Sequence, residues 1–291
     1  MLIDNLSIIG VGLIGGSLAR ALRKAKLVGR VTGCNRSEET LKKAVELDVI
    51  DDYFLDISEA VKDADVIIIG TPLSVSEKIL PKVADSMSAN TVLTDVGSVK
   101  GGIVNVAKQV LAEKFYNFVP GHPIAGTEKN GVEASFEDLF VDHRVILTPL
   151  KETSPKAHKL ITQMWESVGA KVIDLDVKHH DEVLAATSHL PHMLAYALVD
   201  CLASMQESEE IFEYAAGGFA DFTRIASSSP GMWHDICFSN KEALIKTLEI
   251  FSSHIDNIKS AIEKSESDEL LETFRRAKEA RDKFNKKINS N

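Results

Sequence analysis

Residues 3–16 read IDNLSIIGVGLIGG, a short β-branched run that stops abruptly at a cluster of glycines. Gly10, Gly12 and Gly15 have G-x-G-x-x-G spacing between a predicted strand, Asn5–Gly10, and a predicted helix, Leu13–Ala25. In this motif the first glycine allows the tight turn, the second lets a pyrophosphate approach the backbone, and the third lets helix and strand pack closely. The N–H groups at the helix start, around Leu13, Ile14 and Gly15, carry a partial positive charge suited to phosphates. The stretch therefore predicts a dinucleotide site at the start of an α/β domain.

Further short apolar runs follow at Arg30–Cys34, Val66–Gly70, Thr91–Asp95, Arg144–Thr148 and Lys171–Leu175. Helical patterns at Ser37–Leu47 and Val75–Met87, and a helix starting near Ser154 and Pro155, alternate with them. Such alternation predicts a parallel sheet covered by helices. Beyond about residue 177 the strand signal ends. Leu244, Leu248, Phe251, Ile255, Ile258 and Ile262 recur at helical spacing, with Ser239 and Glu242 read as a capping box and Ser267 as the start of a last helix. Two domains are expected, residues 1–176 binding the dinucleotide and residues 177–291 all-helical, with the helical seams predicting a homodimer.

The bulk composition narrows the partners. With 33 basic against 43 acidic residues the formal net charge is -10, which disfavours nucleic acid. Cys34, Cys201 and Cys237 are scattered and have no metal-site spacing. No uninterrupted apolar run approaches a membrane span, and the N-terminus lacks a basic leader, so the expected compartment is the cytoplasm.

At the predicted end of the second strand stand Asn35, Arg36 and Ser37, where an acidic residue would hold a free ribose 2′-hydroxyl. An arginine here suits a 2′-phosphate, so NADP is expected to be at least tolerated beside NAD. Thr71-Pro72 and Asp95–Lys100 follow later strands, where an open α/β sheet binds ligands. Histidine is the usual general base near neutral pH, and His122 lies in a loop dense in turn formers. By spacing alone it is as readily a satisfied loop histidine. His189 and His192 share a helical face but lack a third ligand at motif spacing, so no metal is expected.

Taken in order, GVGLIGGS (10–17), DVGSVK (95–100), GHPIAGTEKNGVEASFEDLF (121–140), SHLPHMLAYALVD (188–200) and GGFADFTRIASSSPGMW (217–233) closely resemble prephenate dehydrogenases. The resemblance runs through nearly the whole chain. It implies a Rossmann-type N-terminal domain, an all-α dimerisation domain, and oxidative decarboxylation of prephenate to 4-hydroxyphenylpyruvate or of arogenate to tyrosine. By the same resemblance His122 is the catalytic histidine, which draws the proton from the ring 4-hydroxyl as C4 gives hydride to the nicotinamide. Ser98 orients that histidine, and His192 and Arg224 bind substrate carboxylates. Thr127, Glu128, Asp221 and Trp233 fall at the active-site entrance. The chain shows no further mutase or regulatory module, so any tyrosine inhibition is expected to be weak or competitive. Two rivals remain: a β-hydroxyacid-type dehydrogenase, which would rely on a helical-domain lysine, and a nicotinamide-sensing protein without turnover.

Overall fold

The computed structural model describes residues 1–127, 129–206 and 208–288. The chain opens with β1 (Ile3–Ile9), α1 (Leu13–Lys24), β2 (Val28–Cys34), α2 (Glu38–Glu46), β3 (Asp52–Phe54) and α3 (Ile57–Val61). It continues with β4 (Val66–Ile69), α4 (Leu73–Ser86), β5 (Val92–Asp95), α5 (Gly101–Val110), β6 (Phe118–Val119), β7 (Gly121–Pro123), β8 (Arg144–Leu147), α6 (Pro155–Glu166) and β9 (Lys171–Asp174). Helices complete it: α7 (Val177–Leu184), α8 (Leu190–Ala203), α9 (Ser208–Glu213), α10 (Gly217–Thr223), α11 (Pro230–Ser239), α12 (Lys241–Glu263) and α13 (Ser267–Ile288).

Six parallel strands form one sheet in the order β3-β2-β1-β4-β5-β6. This is the doubly wound Rossmann order, whose ligand crevice lies where the winding reverses, between β1 and β4. The central strand β4, Val-Ile-Ile-Ile, is buried along its whole length because helices cover both faces. One face packs a cluster that includes Leu18, Leu22, Phe140 and Trp165, and the other a cluster that includes Leu80, Val83 and Phe118. Side-chain caps start several helices at the expected kind of residue: Ser37 accepts from Thr40 N–H, Ser154 from Ala157 N–H, and Asp176 from Lys178 and His179 N–H.

Two sequence expectations need correction. The strands at 144–147 and 171–174 do not extend the parallel sheet; they form a second sheet in the order β7-β8-β9. Its cause is local. After β6 the chain passes through Pro120 and pairs β7 antiparallel to β8, with His122 opposite Ile146, while β8 pairs parallel to β9. Ser239 is also not a helix cap, because α11 runs through it. The break falls at Asn240, whose side-chain amide donates to the Asp181 carbonyl (2.8 Å) and meets His189 Nδ1 (3.2 Å).

The chain divides into two compact units, Met1–Lys241 and Glu242–Asn291. The first includes α7 to α11, which pack against the end of the main sheet. There Leu73 and Val99 join Trp233 and Ile236 in a small apolar cluster, and Ser74 Oγ donates to Asp235 at 2.6 Å. In the second unit the apolar seam is partly open to solvent, with Ile255 48% and Ile262 61% exposed. No helix among the described residues is long and apolar enough to cross a membrane.

Trp165 is fully buried and meets Phe140 edge-on, with ring centroids 5.0 Å apart. Trp165→Ala should lower the unfolding free energy by about 3–5 kcal/mol, read by denaturant titration. A loss below about 1 kcal/mol would show that this face of the sheet does not depend on it.

Candidate active site

The glycine loop shows one physical demand at each glycine. Gly10 has φ +96°, and a Cβ there would stand 2.5 Å from the Gly70 carbonyl carbon, so β1 and β4 approach too closely for any side chain. A Cβ on Gly15 would meet Ile8 Cγ2 at 2.8 Å, which is the close packing of α1 on β1. At Gly12 a Cβ would meet nothing within 4 Å: the space over it is open. Gly12 caps α1 with no side-chain hydrogen bond, so the first helical N–H groups face that space without a side-chain acceptor.

A cleft of about 350 Å³ continues from this loop, lined among others by Gly12, Cys34, Asn35, Arg36, Thr71 and Pro72. Burial pushes the Cys34 thiol up to about 11, which leaves it protonated and inert. Arg36 is exposed. The Ser37 hydroxyl already accepts from Thr40 N–H (3.2 Å) as a cap, and its own hydrogen remains to donate. Thr71 Oγ1 lies 2.9 Å from Ser76 Oγ, and Pro72 caps α4.

At the far side of the same sheet end the chain crosses from β6 into β7, and His122 sits on this crossing, 8% exposed. Its Nδ1 is 2.9 Å from Nε2 of His180, and Nδ1 of His180 is 2.8 Å from Oδ1 of Asp181. Asp181 also accepts from the N–H groups of Lys100 (2.9 Å) and Gly101 (2.8 Å) at the start of α5. These bonds outweigh burial and hold its carboxyl below the usual carboxylate range. Lys100, 0% exposed, pairs with Asp95 and donates to the Gly121 carbonyl at 2.7 Å, pinning the residue beside His122. Burial above all, then the charges of His180, Lys100 and His189, holds His122 well below the ordinary imidazole range. The ring is therefore neutral at neutral pH and able to accept a proton.

A second group adjoins the first. The segment Ala185–His189 is a π-helical turn running into α8, whose first turn contains Pro191. It presents His189 and His192 toward Trp233. His192 stacks on the indole with centroids 3.7 Å apart, and His189 meets it edge-on at 6.1 Å. His192 Nδ1 is 2.8 Å from the Ser188 carbonyl, an arrangement that assigns the ring proton there and leaves Nε2 to a ligand. Burial and the Arg224 charge lower the His192 pKa, against the Ser188 bond; Arg224 thus lies within electrostatic reach at the end of α10. The Trp233 indole N–H has no hydrogen-bond partner among the described residues.

The remaining expected residues are less closely drawn in. Ser98 is half-buried and next to Val99, which packs with Trp233. Among the described residues His180, not Ser98, is the hydrogen-bond partner of His122. Among the described residues Thr127 bonds within its own loop, to Lys129, and Asp221 is exposed on α10. Glu128 lies outside the described residues. His180, Asp181 and Asn240 escaped the sequence reading, and Lys100 entered it only as the end of the segment Asp95–Lys100, without a role of its own. The one available signal was the run His179-His180-Asp181, two imidazoles directly before a carboxylate.

Comparison with known proteins bears on this arrangement. The model for the prephenate dehydrogenase nucleotide-binding domain matches residues 18–174, and that for the prephenate dehydrogenase dimerization domain matches residues 176–276. The chain belongs to the prephenate dehydrogenase family. It is 36% identical to the cyclohexadienyl dehydrogenase of Zymomonas mobilis, over 95% of this chain and 94% of that protein. It is 37% identical to the prephenate dehydrogenase of Bacillus subtilis, over 96% of this chain and 76% of the relative. The crystal structure of prephenate dehydrogenase from A. aeolicus in complex with hydroxyphenyl propionate and NAD+ superposes with a TM-score of 0.89 at 40% identity, covering 96% and 97% of the two chains. The nucleotide-binding-domain match begins at residue 18, just after the glycine loop, and includes Arg36 and His122, whereas His192, Arg224 and Trp233 fall in the stretch matched by the dimerization domain.

The buried imidazoles make stability pH-dependent. His189 is 1% exposed, and burial lowers it from 6.5 to about 4, so between those values the unfolded chain binds the proton and the folded chain does not. Its contribution is intact above pH 6.5 and shrinks as pH falls toward 4, by up to on the order of 3 kcal/mol. His122 acts in the same direction. Thermal unfolding should therefore shift to lower temperature from about pH 6.5 downward, and His189→Gln should flatten the slope. A melting temperature constant from pH 7 to 5 would contradict these buried neutral rings.

Proposed function

We propose that this protein oxidises prephenate to 4-hydroxyphenylpyruvate with loss of carbon dioxide, passing hydride to a nicotinamide dinucleotide. The observation that carries the reading is His122: a buried neutral imidazole at the sheet end shared with the glycine loop, with Nδ1 engaged by His180. The cofactor would lie with its pyrophosphate over Gly12 and the first turn of α1, and its nicotinamide supplies the hydride acceptor. Nε2 of His122 takes the proton from the substrate's 4-hydroxyl as hydride leaves C4. Loss of the C1 carboxylate then yields an aromatic ring, which makes the step strongly downhill. Arg224 and Nε2 of His192 hold the substrate's carboxylates, Trp233 fixes the His192 ring, and Ser98, Thr127, Glu128 and Asp221 are assigned to the rim of the same site. Residues 1–176 would then bind cofactor and residues 177–291 bind substrate and the second subunit.

Arogenate dehydrogenation, alone or beside prephenate, is the neighbouring reading, since it asks nothing different of His122 or of C4. A non-catalytic nicotinamide sensor would have no use for a buried neutral base backed by a second imidazole and a carboxylate. Exposed Arg36 at the cleft mouth, with Asn35 and the Ser37 hydroxyl, favours acceptance of a 2′-phosphate, so we assign NADP as usable beside NAD.

Initial rates with prephenate and with arogenate, each with NAD and with NADP, test the reading directly. His122→Asn should cut kcat by ~10²–10⁴-fold with cofactor binding retained. Arg36→Ala should weaken NADP use more than NAD use. Silence of the folded, cofactor-binding protein in all four combinations would move the sensor reading to the front.

The open apolar faces of α12 and α13, including Ile255, Ile262, Leu271 and Phe274, fit a homodimer interface of the kind the matched domain's description names. Light scattering should give about twice the 31.8 kDa chain mass; a monomer at micromolar concentration would reject this.

A further inference from the structure

The proposed reaction leaves a proton on a base that is buried and already has the Lys100 ammonium close by. Lys100 and His189 face His122 from the start of α5 and from the π turn, and Asp95 is already paired with Lys100. A proton held on His122 alone would therefore be poorly stabilised. The hydrogen bonds behind the ring supply an alternative. Asp181 is an ionised carboxylate whose Oδ1 can only accept, so Nδ1 of His180 must donate to it. Carrying its single hydrogen on Nδ1, His180 offers a lone pair at Nε2, 2.9 Å from Nδ1 of His122, and in this arrangement the His122 ring carries its hydrogen on Nδ1. The only remaining nitrogen of His122 is Nε2, and it is an unprotonated acceptor. The tautomer of the base is thus dictated by a carboxylate two residues removed in the hydrogen-bond chain.

We propose that His180 and Asp181 form a proton relay behind His122, an assignment that rests on the dehydrogenase reading above. As Nε2 of His122 accepts the substrate proton, the hydrogen on its Nδ1 passes to Nε2 of His180. His122 returns to neutral and His180 becomes an imidazolium directly hydrogen-bonded to the Asp181 carboxylate. One proton enters, one moves on, and no other group changes charge. Asp181 keeps its negative charge because three N–H donors hold it: His180 Nδ1 and the backbone of Lys100 and Gly101. Its anchorage is also mechanical, since the Asp181 carbonyl accepts from Asn240 and its carboxylate ties α7 to the start of α5. His180 and Asp181 touch no reacting atom; they act through His122.

His180→Gln separates relay from support. A glutamine amide can accept from His122 and donate to Asp181, yet cannot carry a proton onward. In this variant the relay requires KM and cofactor affinity within about twofold of the parent, kcat lower by ~10²-fold, and the acid limb of the kcat/KM profile moved to lower pH. Retention of kcat within about threefold, with an unmoved profile, would overturn it. Nitrogen-15 NMR of histidine-labelled parent protein tests the same chain without turnover. It should find His122 and His180 both neutral and protonated on Nδ1 at pH 7.5; a His122 ring protonated on Nε2 would refute the relay. If the parent proves inactive on every substrate tried, the dehydrogenase reading fails, and the tautomers still decide whether the hydrogen-bond chain is as described.

Discussion

The Asp181 carboxylate is the point on which this site is hung. It receives the first two N–H groups of α5, where the helix end favours negative charge, and the Nδ1–H of His180. Each of those bonds fastens something different. The backbone pair joins the first helix after β9 to the last long crossover of the main sheet. The histidine bond fixes a ring that in turn fixes His122. A buried carboxylate would ordinarily be costly, and here it is matched by three donors, so its charge is retained and its field is directed toward the imidazoles.

A second buried pair, Lys100 with Asp95, complements the first. It lies at the C-terminal end of β5, and the ammonium also holds the Gly121 carbonyl where the chain leaves one sheet for the other. Burial pulls the Lys100 pKa down, and Asp95 opposes that pull. Breaking either partner would strand the other in a dry interior, so the pair specifies geometry more than it adds net stability. Its consequence for chemistry is indirect: a cation beside His122 keeps that ring neutral in the resting site and makes a proton held on it costly.

The glycine loop and the His122 cluster lie at one end of the main sheet because of topology. The winding reverses between β1 and β4, and the glycine loop and Thr71-Pro72 flank that reversal. The next crevice along, after β5, takes Ser98, Lys100 and the α7 carboxylate, and the chain leaving β6 delivers His122 on β7. Ser74 and Asp235 tie the cofactor side to α11, next to the Trp233 that orders His192. The glycine loop and His122 thereby lie at the same end of the main sheet, His122 just past β6 on the first strand of the second sheet.

Much of this was legible in the chain alone, for reasons that are local. The glycine loop is legible because G-x-G-x-x-G spacing stands directly between a strand run and a helix pattern, although the contact that bars a side chain at Gly10 comes from Gly70, far along the chain. The strands through Ile69 and Asp95 are legible because short apolar runs rich in β-branched residues have few other uses. The same local logic began helices at Ser37 and near Ser154, both of which the structure shows as caps, and it misled at Ser239, where a serine three residues before a glutamate looks like a cap whatever lies around it. What the sequence could not decide depends on contacts far apart in the chain. The separate β7-β8-β9 sheet follows from one antiparallel pairing, and His122 and His180 are 58 residues apart, joined by a single hydrogen bond. Residue type determined that an imidazole and a glycine loop were available. Only the folded chain determined that the imidazole is buried, neutral, backed by a second ring and a carboxylate, and set at the end of the sheet that carries the glycine loop, because burial and charge are properties of neighbours in space.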